Sequence, residues 1–251
     1  MEKAFSGKVA LVTGASFGIG RATALAFAQR GAKVAVADRV EDHETIDLIR
    51  RSGGEPVFIK CDVSKDADVK AMVEKVIATF GRLDHAFNNA GIEGLNAPTQ
   101  DCTEENWDRV IDVNLKGIWL CMKYEIPHMI KAGKGTIVNN ASIAGLVAFA
   151  GIPAYAASKH GVIGLTKNAA IENAKLGIRV NAVCPGVIKT PMIDRFTGKN
   201  KEVEKQFANM EPVGRIGQPE EVADAVLWLS SDSSSFVTGT AMPVDGGWVA
   251  Q

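Results

Sequence analysis

Three polar residues near the middle of the sequence have the types and spacing needed to move a proton at an oxygen atom. Tyr155 and Lys159 are four residues apart, and Ser142 precedes Tyr155 by thirteen residues. Residues i and i+4 of a helix share one face, so the Lys159 ammonium can lie beside the Tyr155 ring. Because a nearby cation favours the phenolate, we expect a lowered pKa for Tyr155, which would suit a general acid or base.

The length and composition of the chain limit the kinds of fold that could position these residues. A chain of 251 residues with 46% hydrophobic content can form one large α/β domain, which we expect to span residues 1–251. The formal net charge of −1 and the scattered charges argue against nucleic-acid binding. No signal peptide or membrane span is evident, so we expect a cytoplasmic location.

The four cysteines are isolated from one another. Cys61, Cys102, Cys121 and Cys184 form no Cys-x-x-Cys pair. This pattern is typical of reduced thiols in a core rather than of a disulfide framework, and we expect no metal site.

Short β-branched runs alternate with longer helical patterns along the chain. The runs are apolar throughout, which indicates strands buried on both faces of a parallel sheet. We therefore predict a doubly wound, Rossmann-type α/β domain of about seven strands with helices on both faces. The predicted strands are Val9–Thr13, Lys33–Ala37, Val57–Lys60, Leu83–Phe87, Thr136–Asn140, Arg179–Val183 and Ala241–Val244.

Several residues have the properties of helix ends. Gly31 is expected to terminate the first helix, Ser64 to cap a later one, and Pro219 to open another. One long helical pattern runs from about Glu104 to Lys131.

A glycine-rich turn follows the first strand and opens the first helix. It runs from Thr13 to Gly20, and its backbone N–H groups could hold a pyrophosphate at the positive end of the helix. Its spacing, Gly-x-x-x-Gly-x-Gly, differs from the Gly-x-Gly-x-x-Gly pattern that is usual in dinucleotide-binding proteins. Asp38 lies eighteen residues after Gly20, near the place of an acid that accepts from the adenosine ribose hydroxyls. These features predict a dinucleotide cofactor.

The same residues favour NAD over NADP, although NADP stays open. The Asp38 carboxylate would repel a 2′-phosphate, and Phe17 offers no positive charge to receive it. Arg39 could cover a phosphate, stack on the adenine or face solvent. Asp62 and Val63, after the third strand, would lie beside the adenine.

The ordered set of motifs resembles the short-chain dehydrogenase/reductase family over nearly the whole chain. The elements that carry this resemblance are Thr13 to Gly20, Asn88-Asn89-Ala90-Gly91, Asn114, Ser142, Tyr155, Lys159, Pro185 to Thr190 and Val244-Asp245-Gly246-Gly247.

The resemblance implies a role for each catalytic candidate. Tyr155 would exchange the proton of the substrate hydroxyl, while Lys159 would lower the Tyr155 pKa and hold the nicotinamide ribose. Ser142 would hydrogen-bond the substrate oxygen. Asn114 would support a water that leads to Lys159.

The resemblance also implies a cofactor site at the ends of the strands. In addition to Tyr155 and Lys159, the expected cofactor-binding residues are Gly14, Ser16, Phe17, Gly18, Ile19, Gly20, Asp38, Arg39, Asp62, Val63, Asn89, Ala90, Gly91, Pro185, Gly186, Ile188 and Thr190.

The substrate pocket is expected beside Ser142, with a mostly apolar wall. Glu93 could instead accept from a second substrate hydroxyl, or face water. Residues 190–217 are predicted to form a mobile lid. The expected substrate residues are Ser142, Glu93, Ala144, Leu146, Phe149, Met192 and Phe196.

Four functions follow as hypotheses. The first is an NAD-dependent dehydrogenase of a secondary alcohol, cyclic or hydrophobic. The others are a sugar or polyol dehydrogenase, an NADPH-linked 3-oxoacyl carrier-protein reductase, and a non-catalytic nicotinamide-binding regulator. The resemblance further implies a homotetramer.

Overall fold

The apolar runs form seven strands in a computed structural model that describes residues 3–41 and 43–251. All neighbouring strands are parallel, in the order β3-β2-β1-β4-β5-β6-β7 given the numbering below. The strands are β1 Val9–Thr13, β2 Lys33–Asp38, β3 Pro56–Lys60, β4 His85–Asn88, β5 Gly135–Asn140, β6 Ile178–Pro185 and β7 Ala241–Val244.

Helices connect these strands and cover both faces of the sheet. The α-helices are α1 Gly18–Gln29, α2 Glu44–Arg51, α3 Asp66–Phe80, α4 Glu104–Ile111, α5 Gly117–Ala132, α6 Pro153–Asn173, α7 Pro191–Thr197, α8 Lys201–Met210 and α9 Pro219–Ser230.

The side chains of β1 show why the strands are apolar at every position. Val9 and Leu11 pack in one buried cluster, whereas Ala10 and Val12 pack in a second one. Since successive side chains of a strand point to opposite faces, these clusters are the two cores on either side of the sheet. The predicted doubly wound architecture is confirmed.

Two helix predictions need correction. Ser64 does not cap α3, because Lys65 occupies the N-cap position and the Ser64 hydroxyl donates to Asp62 Oδ1 over 2.7 Å. The long pattern from Glu104 to Lys131 is not one uniform α-helix, since a π-helical turn over Asp112–Lys116 separates α4 from α5. The predicted helix end at Gly31 and the first-turn proline Pro219 are confirmed.

The strand order reverses between β1 and β4, which opens a crevice at the carboxyl ends of the strands. Residues 191–210 of the predicted lid form α7 and α8. Within the described ranges, no helix is long and apolar enough to cross a membrane.

Candidate active site

A cleft of about 630 Å³ lies at the carboxyl ends of the strands and collects most of the predicted site residues. Its wall includes Gly14, Phe17, Gly18, Ile19, Asp38, Arg39, Asp62, Val63, Asn89, Ala90, Gly91, Glu93, Ser142, Ala144, Phe149, Tyr155, Lys159, Pro185, Gly186, Ile188, Thr190, Met192 and Phe196.

Four predicted site residues do not form this wall. Ser16 and Asn114 are fully buried, and Gly20 packs against the Gly14 carbonyl, which would clash with any side chain at Gly20. Leu146 is partly exposed outside the cleft. The direct cofactor or substrate contacts predicted for Ser16, Gly20 and Leu146 therefore stay predictions without a place on the wall.

The glycine-rich turn is held against the end of β4 by very close packing. Gly14 has a φ of +61°, and a side-chain carbon there would lie 2.9 Å from the Ala90 Cα. The Asn89 amide donates to the carbonyls of Thr13 and Gly14 over 3.0 and 3.1 Å. Thus Asn89 and Gly14 fix the turn that opens α1.

The start of α1 suits a phosphate group. Phe17 is the N-cap residue and provides no side-chain hydrogen bond to the first turn. Gly18 and Ile19 line the cleft at this helix start. Backbone N–H groups in the first turn of a helix bind anions such as a pyrophosphate, so this part of the cleft fits a dinucleotide.

Asp38 lies at the end of the cleft where adenosine was predicted, and its carboxylate accepts from two backbone N–H groups. Ser16 N donates to one carboxylate oxygen and Val40 N to the other, each over 3.0 Å. Because a carboxylate oxygen has two acceptor positions, both oxygens retain one for ribose hydroxyls. Buried Ser16 therefore orients Asp38 and does not contact the cleft itself.

Ser142, Tyr155 and Lys159 meet on the cleft wall at the other end. Ser142 follows β5, and its Oγ accepts from Ala144 N over 3.1 Å while its hydroxyl hydrogen-bonds the Tyr155 phenol. Lys159 Nζ lies 5.5 Å from the Tyr155 ring centroid and donates to the Asn140 carbonyl over 2.7 Å. The Lys159 side chain is buried, and this burial lowers its pKa to about 8.

The electrostatics of Tyr155 differ from the expected lowering of its pKa. Burial raises the pKa of the Tyr155 phenol, a hydrogen bond with Ser142 lowers it, and the Glu93 carboxylate raises it. The Lys159 ammonium points to the Asn140 carbonyl rather than to the phenol oxygen. The i, i+4 spacing therefore brings the two side chains together without making the phenol more acidic.

Asn114 lies in the π-helical turn and clamps the chain that leaves β4. Its Oδ1 accepts from Ile92 N over 2.8 Å, and its Nδ2 donates to Ile92 O over 2.9 Å. The same Nδ2 lies 3.3 Å from Ser158 Oγ, one residue before Lys159. Asn114 thus links the loop after β4 to the helix that carries Tyr155 and Lys159, and π-helical turns often occur at functional sites.

The expected substrate end of the cleft has aromatic walls and one ion pair. Phe149 packs against Trp248 with ring centroids 5.6 Å apart, and Phe196 packs against Phe207 at 5.9 Å. Glu93 is paired with Arg195 over 2.8 and 3.1 Å instead of presenting a free carboxylate.

Several wall residues were not predicted from the sequence. They include Ile92, Arg109, Asn140, Arg195 and Phe207. Ile92 and Asn140 adjoin predicted residues and could have been found as neighbours of strand ends. Arg109, Arg195 and Phe207 lie on helices without a local motif, so only the packing of those helices brings them to the cleft.

Comparisons with known proteins agree with this geometry. A family model described as Enoyl-(Acyl carrier protein) reductase matches residues 14–249. The chain is 48% identical to cyclohexanol dehydrogenase of Acinetobacter sp. (strain SE19), covering 100% of this chain and 98% of that protein. It is 44% identical to 2,5-dichloro-2,5-cyclohexadiene-1,4-diol dehydrogenase of Sphingobium indicum, with 98% of each covered.

A solved structure of another protein has a closely similar fold. The crystal structure of levodione reductase superposes with a TM-score of 0.93 at 38% identity, over 98% of this chain and 99% of that one. The doubly wound parallel sheet with a cleft at the carboxyl ends of its strands defines a Rossmann-type nucleotide-binding domain. The chain belongs to the short-chain dehydrogenase/reductase family, as the motif resemblance predicted.

Proposed function

We propose that the protein is an NAD-dependent dehydrogenase that interconverts a cyclic or hydrophobic secondary alcohol and its ketone. The observation that carries this proposal is the position of Tyr155 and Ser142 beside an apolar wall in one cleft. The names of the relatives support the substrate class, since cyclohexanol dehydrogenase and the cyclohexadienediol dehydrogenase act on ring alcohols.

A nicotinamide cofactor held by the Gly14 turn, Asp38 and Lys159 would supply the hydride chemistry of the reaction. Tyr155 removes the proton of the substrate hydroxyl during oxidation and returns it during reduction. Ser142, oriented by the Ala144 N–H that its Oγ accepts, turns its proton from the Tyr155 phenol to the substrate oxygen as negative charge develops there. Lys159 is fixed by the Asn140 carbonyl and directs its remaining donors to the nicotinamide ribose.

Asp38 supports NAD as the preferred cofactor. Its two oxygens are oriented by Ser16 and Val40 and retain acceptor positions for the two ribose hydroxyls. A 2′-phosphate at that place would meet this carboxylate, and like charges so close repel. Arg39 also lines the cleft, so some use of NADP is compatible with the site.

The alternatives fit the site less well. A polyol dehydrogenase would need polar partners for several hydroxyls, whereas the wall beside Ser142 is mostly apolar and its one carboxylate, Glu93, forms an ion pair with Arg195. An NADPH-linked 3-oxoacyl carrier-protein reductase would need a cation where Asp38 lies. A regulator without turnover would not need Ser142, Tyr155 and Lys159 together.

The test is NAD reduction with cyclic alcohols, polyols and hydroxyacyl thioesters, compared between the wild type and Tyr155→Phe. We expect the highest kcat/KM with a cyclic alcohol and a loss of about a hundredfold or more in kcat for Tyr155→Phe. NADH should still bind to the variant. A variant with a tenth of the wild-type kcat would refute the role of Tyr155, and a higher kcat/KM for polyols would refute the substrate class.

The proposal also includes a homotetramer, which rests on the family, and a cytoplasmic location, which rests on the four free cysteines. Light scattering should give about four times the chain mass of 26.7 kDa. A mass near that of one chain would contradict it.

A further inference from the structure

A carboxyl group that the proposed mechanism does not use is completely buried beneath the cleft. Glu125 on α5 has no exposed surface, and its Oε2 accepts from Asn88 Nδ2 over 3.1 Å. Among the described residues, no group donates to its Oε1. A buried carboxylate without a cation or a full set of donors is very unfavourable.

Asn88, the hydrogen-bond partner of Glu125, also has a side-chain oxygen that accepts no hydrogen bond from the described residues. Asn88 Oδ1 is buried and has no donor in the described part of the chain. The protons of Asn88 Nδ2 are directed to Glu125 Oε2 and to Asn139 Oδ1, each over 3.1 Å. Two side chains already joined by one hydrogen bond therefore each present an oxygen without a donor.

The surrounding hydrogen bonds fix the orientation of both amides. Thr166 donates its proton to the Val162 carbonyl over 2.8 Å, so it can only accept from Asn139 Nδ2 at 3.0 Å. Asn139 must then turn its Oδ1 to Asn88, and Asn88 must present its Nδ2. Asn88 cannot exchange its nitrogen and oxygen to satisfy Glu125, so the donor left for these oxygens among the described side chains of this network is a proton on Glu125 itself.

Asn88 and Asn139 of this network each come directly before a residue of the candidate active site in the sequence. Asn88 and Asn139 are paired neighbours at the ends of β4 and β5. The next residues are Asn89, which holds the Gly14 turn, and Asn140, whose amide donates to Asn89 Oδ1 over 2.9 Å. The Asn140 carbonyl in turn accepts from Lys159. The two strand ends thus carry both the cofactor turn and the buried lysine.

We propose that Glu125 is a neutral carboxylic acid in the folded protein and donates its proton to Asn88 Oδ1. The second hydrogen bond holds the ends of β4 and β5 in the position that the cofactor turn and Lys159 require. Glu125 is thus a positioning residue, and ionising it weakens cofactor binding. The link to cofactor binding rests on the proposed function, whereas the protonation state does not.

The charges around Glu125 agree with a neutral acid. Burial raises its pKa to about 7, and Asn88 alone lowers it. The described titratable group that interacts with it is the Cys121 thiol, one turn earlier on α5, whose own pKa burial raises. Cys61, after β3, lies near Cys121 and has a pKa of about 12. Neither thiol supplies a positive charge.

The sign of the pH effect follows from these values. The folded protein holds the Glu125 proton up to a pH of about 7, whereas the unfolded chain releases it near the ordinary glutamate pKa of 4.5. The stability that this proton contributes is therefore present in acid and is lost as the pH rises from 4.5 through about 7. A variant without this carboxyl would lack that dependence.

Infrared spectroscopy tests the protonation state without relying on activity. At about pH 6, the carbonyl band of protonated carboxylic acid should be weaker in Glu125→Gln than in the wild type; any band that remains would come from Glu211, a second buried glutamate whose pKa burial raises. Glu172→Gln, at an exposed glutamate on α6, is the matched control and should retain the full wild-type band. An equal band in the wild type and in Glu125→Gln, or no band in the wild type, would overturn the proposal.

Cofactor binding tests the positioning role. Gln can donate to Asn88 Oδ1 and accept from Asn88 Nδ2, so Glu125→Gln should keep the NADH Kd within about twofold of the wild type at about pH 6 and remove its increase above about pH 7. Glu125→Leu should raise the Kd by about tenfold at any pH, about 1.4 kcal/mol.

Two outcomes would contradict the positioning role. One is an equal Kd for the Gln and Leu variants, and the other is an unchanged pH dependence in Glu125→Gln. If Glu125→Leu fails to fold, the pH dependence of the NADH Kd in Glu125→Gln still tests the positioning role, and the infrared band still tests the protonation state. If the protein binds NADH poorly in every form, the proposed function fails, while the infrared result still stands.

Discussion

Glu93 and Arg195, 102 residues apart in the sequence, form a two-point ion pair between the loop after β4 and helix α7. The Arg195 Nε lies 2.8 Å from one carboxylate oxygen and the Nη2 lies 3.1 Å from the other. Both residues line the cleft. This pair joins the sheet side of the cleft to the segment predicted as a lid.

A double-mutant cycle measures the strength of this contact. Glu93→Gln and Arg195→Gln should each raise the KM for alcohol, by a factor of about 1.4 to 5, because a partly exposed pair contributes roughly 0.2–1 kcal/mol. The double variant should be no worse than either single one. Strictly additive effects, or effects that do not shrink in high salt, would contradict a closing contact.

Cofactor choice should depend on Asp38. Asp38→Ala removes the carboxylate that would repel a 2′-phosphate, so the ratio of kcat/KM for NADP to that for NAD should rise by about tenfold or more. Asp62→Asn, which changes a second carboxyl group of the same cleft, is the control and should leave the ratio nearly unchanged. An unchanged ratio in Asp38→Ala would remove Asp38 from the specificity argument.

Alcohol oxidation should accelerate from neutral to alkaline pH. Tyr155 acts as a base only as the phenolate, and burial raises the pKa of the phenol. Because the Lys159 ammonium does not lower the pKa of the phenol, Lys159→Gln should leave the rising limb of log kcat/KM within about half a pH unit of the wild-type position and should raise the KM for NAD. A limb displaced to higher pH by about one unit would show that the Lys159 charge acts on the phenol.

Acid should destabilise the protein through His85. Burial among Phe5, Phe27 and Thr136 lowers the pKa of this ring from 6.5 to about 4. Between pH 6.5 and about 4, the imidazole of His85 is protonated in the unfolded chain but stays neutral in the folded protein. The contribution of neutral His85 to the free energy of unfolding is therefore present above pH 6.5 and is lost as the pH falls towards 4.

Thermal unfolding of His85→Gln checks this prediction. The wild type should lose up to about 3 kcal/mol more than the variant between neutral pH and about pH 4. Parallel losses in the two proteins would assign the acid sensitivity to other groups.

Local patterns in the sequence sufficed for the sheet and for much of the cleft. A short apolar run predicts a strand. Where the run is apolar on both faces, as in β1 and β6, it also predicts a parallel sheet that is covered on both sides. The Tyr155–Lys159 spacing predicted a shared helix face, and α6 contains both residues. Asp38 was found by its distance from the glycine-rich turn, because that distance is the length of one helix and one strand.

Tertiary structure alone decided the contacts that cross between elements. The Glu93–Arg195 pair depends on where α7 docks, and the Asn88–Glu125 contact depends on which face of α5 meets β4. The Tyr155 pKa likewise depends on burial and on where the Lys159 ammonium points. Residue types and local spacing therefore determine the elements and their chemistry, whereas burial, pairing and proton affinity arise only when distant elements pack together.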